Sequence, residues 1–299
     1  MTSDSAVSWW WEAARPRTLP AAVAPVLVAS ALAWHDGLFH GAAAATCLLF
    51  AVLIQIGTNY ANDYFDFRKG ADTQERVGPR RAVAAGLIAP EVMKRAMVLV
   101  FSVAFLVGLS LLQFGGWPLL VVGITSIICG VIYTGGPYPL AYHGWGDVFV
   151  FIFFGLVAVG ATYFVQTGTI SGAAWACGIG IGALSTNILI VNNYRDIETD
   201  RKAGKRTLVV RWGRGFAQIQ FAAAHLAMAG VAIWLAWAGF IGLWPAISFE
   251  LFLIGVGGWQ LRRLRSSTSP QELIDLLGAT GQHLAIVAVL LSAVMLWGT

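Results

Sequence analysis

Two acidic stretches carry residue types and spacings capable of chemistry. The first is Asn59-Tyr60-Ala61-Asn62-Asp63-Tyr64-Phe65-Asp66; the second is Asn192-Asn193-Tyr194-Arg195-Asp196-Ile197-Glu198-Thr199-Asp200. On a helix, Asn59, Asp63 and Asp66 fall at i, i+4 and i+7 and line one face, as do Asn192, Asp196 and Asp200 at i, i+4 and i+8. Two such faces would make one carboxylate-walled pocket. Facing carboxylates repel, and poor hydration at the end of a membrane helix opposes their ionisation, so a cation between them is required. Oxygen ligands without His or Cys suit Mg²⁺, which takes one or two carboxylates and completes its shell with phosphate oxygens. Bases follow both stretches: Arg68, Lys69, Arg76, Arg80 and Arg81 after the first, Arg201, Lys202, Lys205 and Arg206 after the second. Acid and base at two matched places predict a Mg²⁺-diphosphate site.

The elements that must position these residues are membrane helices. Of 299 residues, 58% are hydrophobic and only 11% charged, with 13 Trp and 34 Gly, which excludes an ordinary soluble domain. Since a span needs about 20 apolar residues, the chain reads as an all-α polytopic membrane protein with nine transmembrane helices, near 19–35, 41–62, 92–114, 117–134, 146–166, 171–193, 215–238, 240–260 and 282–298. With the N-terminus cytoplasmic, all 19 Lys and Arg fall in cytoplasmic segments. Both acidic motifs then face the cytoplasm and the C-terminus lies outside, as expected for a multi-pass protein of the inner (cytoplasmic) membrane. No cleavable signal peptide is apparent. The chain reads as one domain over 1–299, with 1–18 an interfacial segment carrying Trp9-Trp10-Trp11 and Arg15-Pro16-Arg17. That segment reads mainly as an anchor, with contact of Arg15 or Arg17 to a substrate phosphate as the alternative. The motifs stand four spans apart and align at an offset of 134 or 133, which predicts two pseudo-repeated four-helix halves plus one helix, with the site between the halves.

Other stretches add detail. The long loop near 63–91, with Arg76-Val77-Gly78-Pro79-Arg80-Arg81, reads as a lid aiming guanidinium groups at an anion. The loop after the fourth span has no Lys or Arg; its Tyr133, Tyr138, Tyr142, His143 and Trp145 read either as an aromatic wall for a flat ring or as an interfacial belt. Cys47, Cys129 and Cys177 lie in apolar spans and read as small hydrophobes. Gly178, Gly180 and Gly182 read as close helix packing, with a lipid-open groove for an apolar tail as the alternative. Glu250 lies within the eighth span and reads as a structural carboxyl, and 270–279 reads as a short interfacial helix before the last span.

The two Asp-rich motifs, at the cytoplasmic ends of the second and sixth of nine helices, resemble those of the UbiA superfamily of intramembrane prenyltransferases. Within it, Ala14-Arg15-Pro16-Arg17-Thr18-Leu19-Pro20, Asn62-Asp63-Tyr64, Arg76-Val77-Gly78-Pro79, Tyr133-Thr134-Gly135-Gly136-Pro137 and the second motif are most similar to the branch whose acceptor is 1,4-dihydroxy-2-naphthoate. The resemblance implies Mg²⁺ as cofactor, a polyprenyl diphosphate as donor, membrane lipid as surroundings, and loss of CO₂ and diphosphate to give demethylmenaquinone. It makes Asp63, Asp66, Asp196 and Asp200 the catalytic metal ligands, oriented by Asn59, Asn62 and Asn192. Gly70 stands where many superfamily members keep a last Asp, and the next acid, Asp72, is carried as a further ligand. Substrate contacts are expected from Arg68, Lys69, Arg76, Arg80, Lys202, Lys205, Tyr133, Tyr138 and His143, with the acceptor carboxylate held from among Arg80, Arg81, Tyr138 and His143. No nucleic-acid partner is expected, and the oligomeric state is left open. The competing expectations are another aromatic acceptor, such as 4-hydroxybenzoate or homogentisate, and a transporter, whose acids would sit near mid-membrane rather than at one surface among bases.

Overall fold

In the computed structural model, which describes residues 5–72 and 78–297, every regular element is helical. A short α1 (Ala6–Ala14) precedes α2 (Pro20–His35). There follow α3 (Gly41–Arg68), α4 (Pro90–Ser110), α5 (Trp117–Ile132), α6 (Gly146–Thr167), α7 (Gly172–Arg195), α8 (Ile197–Lys202), α9 (Leu208–Trp237), α10 (Leu243–Ser266) and α11 (Pro270–Trp297). Ends are set by local chemistry. Ser171 and Thr207 accept from the N–H groups of Ala174 and Val210 and start α7 and α9, and Gly168 closes α6 in the left-handed region.

All nine anticipated segments are helical, but fewer meet the requirements for a membrane crossing. Among the described residues six helices are long and apolar enough, and a seventh is obtained if α1 and α2, bent by 53° at their junction, count together. At 16 residues α5 is short, and α10 is not among the six. Two expectations are corrected. The first motif lies wholly within α3, which runs on to Arg68 instead of stopping near 62, because no breaker interrupts it before Gly70. Residues 270–279 form no separate helix but are the first turns of the continuous α11.

Helices α3, α4 and α5 pack as one group, while α7 is embraced by α9, α11 and α6, and α2 bridges the groups by packing on α3, α6 and α11. The largest buried apolar cluster runs through α2, α7, α9, α10 and α11. The glycines of α7 belong to packing and line no lipid-open groove. Gly178 and Gly182 lie against Gly155, in a π-helical turn (Ile152–Val157) of α6, and Gly180 faces Met228 of α9. A Cβ on Gly155 would run into the Gly178 carbonyl oxygen and lie 2.7 Å from Gly182 Cα. Backbone cannot give way as a side chain can, so Gly155→Ala is expected to destabilise the fold by about 3 kcal/mol. A thermal melt in detergent checks this; an unchanged midpoint would refute the close approach.

Candidate active site

A cavity of about 220 Å³ opens between the helix groups, with Asp66 of α3 on one wall and Asp196 and Asp200, flanking the α7 to α8 break, on the other. The second motif kinks where the first does not. At Asp196 the backbone leaves helical geometry (φ −91°, ψ 8°), α8 restarts at Ile197, and the turn brings the Asp200 N–H to the Asp196 carbonyl at 2.7 Å.

Asp66 is the centre of the polar end. Only 2% exposed, it accepts from the Tyr142 hydroxyl at 2.8 Å, Lys205 Nζ at 3.2 Å and Arg81 Nη2 at 3.4 Å. Arg81 also reaches Asp72 at 3.5 Å. Two ammonium groups lie over the Tyr142 ring, Lys69 at 4.8 Å and Lys205 at 4.9 Å from its centroid. Burial, reinforced by the adjacent Asp66 carboxylate, raises the Tyr142 phenol far above its usual range, so it stays a hydrogen-bond donor. Burial likewise lowers the Lys69 ammonium, against the pull of Asp66; its Nζ donates to the Thr134 carbonyl at 2.7 Å. Arg195, 5% exposed and off the cavity lining, grips Asp196 of the opposite wall with two 2.7 Å hydrogen bonds and Asn192 Oδ1 with one of 2.9 Å.

Several anticipated site residues do other work. Asp63, 1% exposed, is not on the cavity wall; its oxygens accept from the backbone N–H groups of Ala82 and Val83 at 3.1 and 3.3 Å and hold down the segment that carries Arg81. Asn59 lines the cavity, yet its amide donates to the Ala14 carbonyl (2.8 Å) and to Thr18 Oγ1 (3.2 Å). Asn62 Oδ1 accepts from Thr134 Oγ1 at 2.9 Å. Arg80 pairs at the surface with Glu12 of α1 at 3.3 Å. Tyr138 and His143 stack on each other with centroids 3.7 Å apart, outside the cavity lining, so of the aromatic loop only Tyr133 lines the cavity while Tyr142 acts through Asp66. Arg68 and Lys202 are exposed and off the wall. Arg76 lies outside the described residues.

Arg15, read from the sequence mainly as part of an anchor with contact to a substrate phosphate as the alternative, stands on the wall. Arg15 joins α1 to the 3₁₀ turn Pro16–Thr18 and is the one described non-glycine residue with positive φ (φ 52°, ψ 68°), a conformation costing on the order of 1–3 kcal/mol for such a residue.

The donor set fits Mg²⁺ in kind, since Asp66, Asp196 and Asp200 offer only hard oxygens. Among the described residues no three His, Cys, Asp or Glu side chains converge on one point. That is the arrangement expected where one or two carboxylates from the protein are completed by phosphate oxygens. Beyond the polar end the cavity turns apolar through Ile54, Phe149, Phe153 and Phe154. It continues into a second cavity of about 100 Å³ that shares Ile54, Ser126, Phe153 and Phe154 and ends at Leu111, Leu119 and Val165.

The family model for the UbiA prenyltransferase family matches residues 22–276. A 1,4-dihydroxy-2-naphthoate octaprenyltransferase of Haemophilus influenzae is 42% identical over 217 residues, covering 68% of this chain and 69% of that protein. One from Mycobacterium tuberculosis is 36% identical over 296 residues, covering 97% of each. Among solved structures, a UbiA homologue from Archaeoglobus fulgidus shares the fold at a TM-score of 0.67 and 14% identity, over 96% of this chain and 99% of its own. The same homologue bound to DMAPP and Mg²⁺ superposes at 0.62, again at 14% identity, over 93% and 98%.

Proposed function

The chain belongs to the UbiA prenyltransferase family, and from that premise we propose that it transfers a polyprenyl chain from polyprenyl diphosphate to 1,4-dihydroxy-2-naphthoate, with Mg²⁺ bound at Asp66, Asp196 and Asp200. The observation that carries the reading is the single cavity, polar and carboxylate-walled at one end and apolar beyond, with Asp66 facing Asp196 and Asp200 across it. The relatives named for this acceptor cover up to 97% of the chain, which favours it over 4-hydroxybenzoate or homogentisate.

A bound Mg²⁺ would supply charge neutralisation of the departing diphosphate. The chain's own groups do the rest. The Tyr142 hydroxyl fixes the Asp66 carboxylate, and Arg195 fixes Asp196. Lys205 and Arg81 stand beside Asp66 for the phosphate oxygens that the carboxylates do not oppose. Phe149, Phe153 and Tyr133 wall off water around the allylic carbon, and their faces favour its developing positive charge. The isoprenoid tail extends into the second, apolar cavity. As the prenyl carbon bonds to the ring carbon bearing the carboxylate, that group leaves as CO₂ and its bonding electron pair returns to the ring. This gives the prenylated diol, the reduced form of demethylmenaquinone.

We place the site on the cytoplasmic side of the inner membrane. Adding α5 and α10 to the seven crossings would give nine, with the termini on opposite faces and two related four-helix halves around the site. The test is turnover by the purified protein in nanodiscs, given 1,4-dihydroxy-2-naphthoate and a polyprenyl diphosphate with Mg²⁺ or EDTA. A prenylated diol that disappears with EDTA supports the reading; pyrophosphate release only with another aromatic acid removes the acceptor.

A second expectation follows from the separated carboxylates. Calorimetric titration of the protein alone with Mg²⁺ should show only weak binding, and a non-reactive prenyl diphosphate analogue should tighten it by at least about 10-fold, because phosphate oxygens complete the shell. Equal affinity with and without the analogue would refute that division of ligands.

A further inference from the structure

We propose that Lys69 and Arg211 are positioning residues, which fasten the segment 133–145 along the polar end of the cavity and so keep the Tyr142 hydroxyl on Asp66; this rests on the metal role proposed above for Asp66.

The segment joins α5 to α6, and its Tyr133, Thr134 and Ala141 line the cavity. It carries no Lys or Arg of its own. Its fastenings come from both helix groups. On one side Lys69, directly after α3 and one helical turn beyond Asp66, donates from Nζ to the Thr134 carbonyl at 2.7 Å and the Gly136 carbonyl at 3.4 Å. On the other side Arg211, in the first turn of α9, donates from Nη2 to the His143 carbonyl at 2.8 Å and from Nε to the Arg206 carbonyl at 3.0 Å. The Arg206 N–H in turn donates to the Tyr142 carbonyl at 2.8 Å.

Tyr142 is thus held by its main chain beside α9, while its hydroxyl donates to Asp66 of α3 at 2.8 Å. The main-chain anchor sets where the side chain begins, and the Lys69 ammonium, 4.8 Å from the ring centroid, favours the ring where it lies. Within the segment the Ala141 N–H closes onto the Tyr133 carbonyl at 2.9 Å, so the fastening at Thr134 is shared by Tyr142. Gly144 shows how close the second fastening is. Its φ of +77° is left-handed, and a Cβ there would lie 2.8 Å from the Arg206 carbonyl oxygen and 3.3 Å from the Arg211 guanidinium carbon.

Neither base stands where a substrate ligand would. Lys69, expected from the sequence to meet substrate, is off the cavity lining, and so is Arg211. Both direct their charge at main-chain carbonyls, and a charged donor makes such bonds stronger than a neutral one.

The test uses the full-length protein in nanodiscs. Lys69→Met and Arg211→Met keep an apolar stem and remove the donors. Each should lower kcat about 5-fold, below the usual cost of a lost charge-assisted hydrogen bond because both side chains are exposed. The KM for polyprenyl diphosphate should stay within about twofold of the parent's. Gly144→Ala should lower kcat about 10-fold by pushing the segment off Arg206. Tyr142→Phe removes the hydroxyl alone and should itself lower kcat about 10-fold. Added to Tyr142→Phe, either Met substitution should lower kcat by less than about twofold more, because the bond it protects is already gone. Lys69→Arg should recover part of the loss. In the metal-free protein, amide hydrogen exchange over 133–145 should run about 5-fold faster in each Met variant. A diphosphate KM that rises at unchanged kcat would make these bases phosphate ligands and overturn the proposal. Losses that multiply fully with Tyr142→Phe would overturn it too, as would parental exchange rates. Exchange needs no turnover, so it decides the fastening even if the acceptor proposed above fails.

Discussion

Replacing Asp66 by asparagine is expected to lower kcat/KM by on the order of 10³-fold, since removing one preorganised electrostatic partner of a reacting group costs about 10²–10³-fold and Asp66 serves several at once. Asparagine preserves the shape and can still accept from the Tyr142 hydroxyl, 2.8 Å away. It removes the negative charge that balances Lys205 and Arg81 and that would hold the metal. The Lys205 ammonium and the Arg81 guanidinium then lose the carboxylate they share, so some loss of stability accompanies the loss of activity. The diagnostic readout is the Mg²⁺ concentration for half-maximal activity, which should rise sharply. An Asp66→Asn enzyme with parental Mg²⁺ dependence would remove Asp66 from the metal site.

Asp63→Ala is the second large effect, and it acts by another route. Asp63 accepts from the Ala82 and Val83 N–H groups, and these residues pack in a buried cluster with Tyr60, Tyr64, Ala13 and Ala14. Leaving a buried donor unsatisfied costs about 1–3 kcal/mol, and two donors are affected. The segment before them carries Arg81 to Asp66. Asp63→Ala is therefore expected to lower the melting temperature and to reduce activity by roughly 10²-fold, in line with one lost electrostatic partner. Asp63→Asn, which keeps one acceptor oxygen, should recover part of both. In neither variant should the Mg²⁺ dependence shift. If it does, Asp63 is a metal ligand after all, and the hydrogen bonds to Ala82 and Val83 are exchanged when the substrate binds.

Much of the architecture was legible because membrane helices announce themselves by apolar length, and because the acidic motifs stand where those runs end. The meeting of Asp66 with Asp196 and Asp200 around one cavity follows from that pattern. What remained hidden involves the backbone. Nothing in the spacing of Asn59, Asp63 and Asp66 tells that Asp63 accepts from Ala82 and Val83, or that Asn59 reaches back to the Ala14 carbonyl, since main-chain donors and acceptors leave no trace in residue types. Arg15 was named among the candidates, but its left-handed backbone was hidden for the same reason, since sequence pattern associates a φ of 52° with glycine. The pairing of Arg80 with Glu12 joins two segments whose separation exceeds any local periodicity. The continuity of α11 defeated the reading of 270–279 because a proline at a helix start signals where the helix begins but not how far it runs.

The shortness of α5 has a consequence for the lipid. Sixteen residues span about 24 Å, whereas the hydrocarbon core of a typical bilayer is about 30 Å thick. The end of α5 is pinned at depth, because Thr134 just beyond it is bonded to Asn62, six residues before α3 ends. As one of the nine crossings proposed above, α5 would require the bilayer to thin beside this face, at an elastic cost of fractions of a kcal/mol per ångström of mismatch. A thinner membrane meets α5 with less deformation than a thick, ordered one. Bilayer thickness would thereby become a variable of the protein's own energetics, biasing where in a heterogeneous membrane it resides.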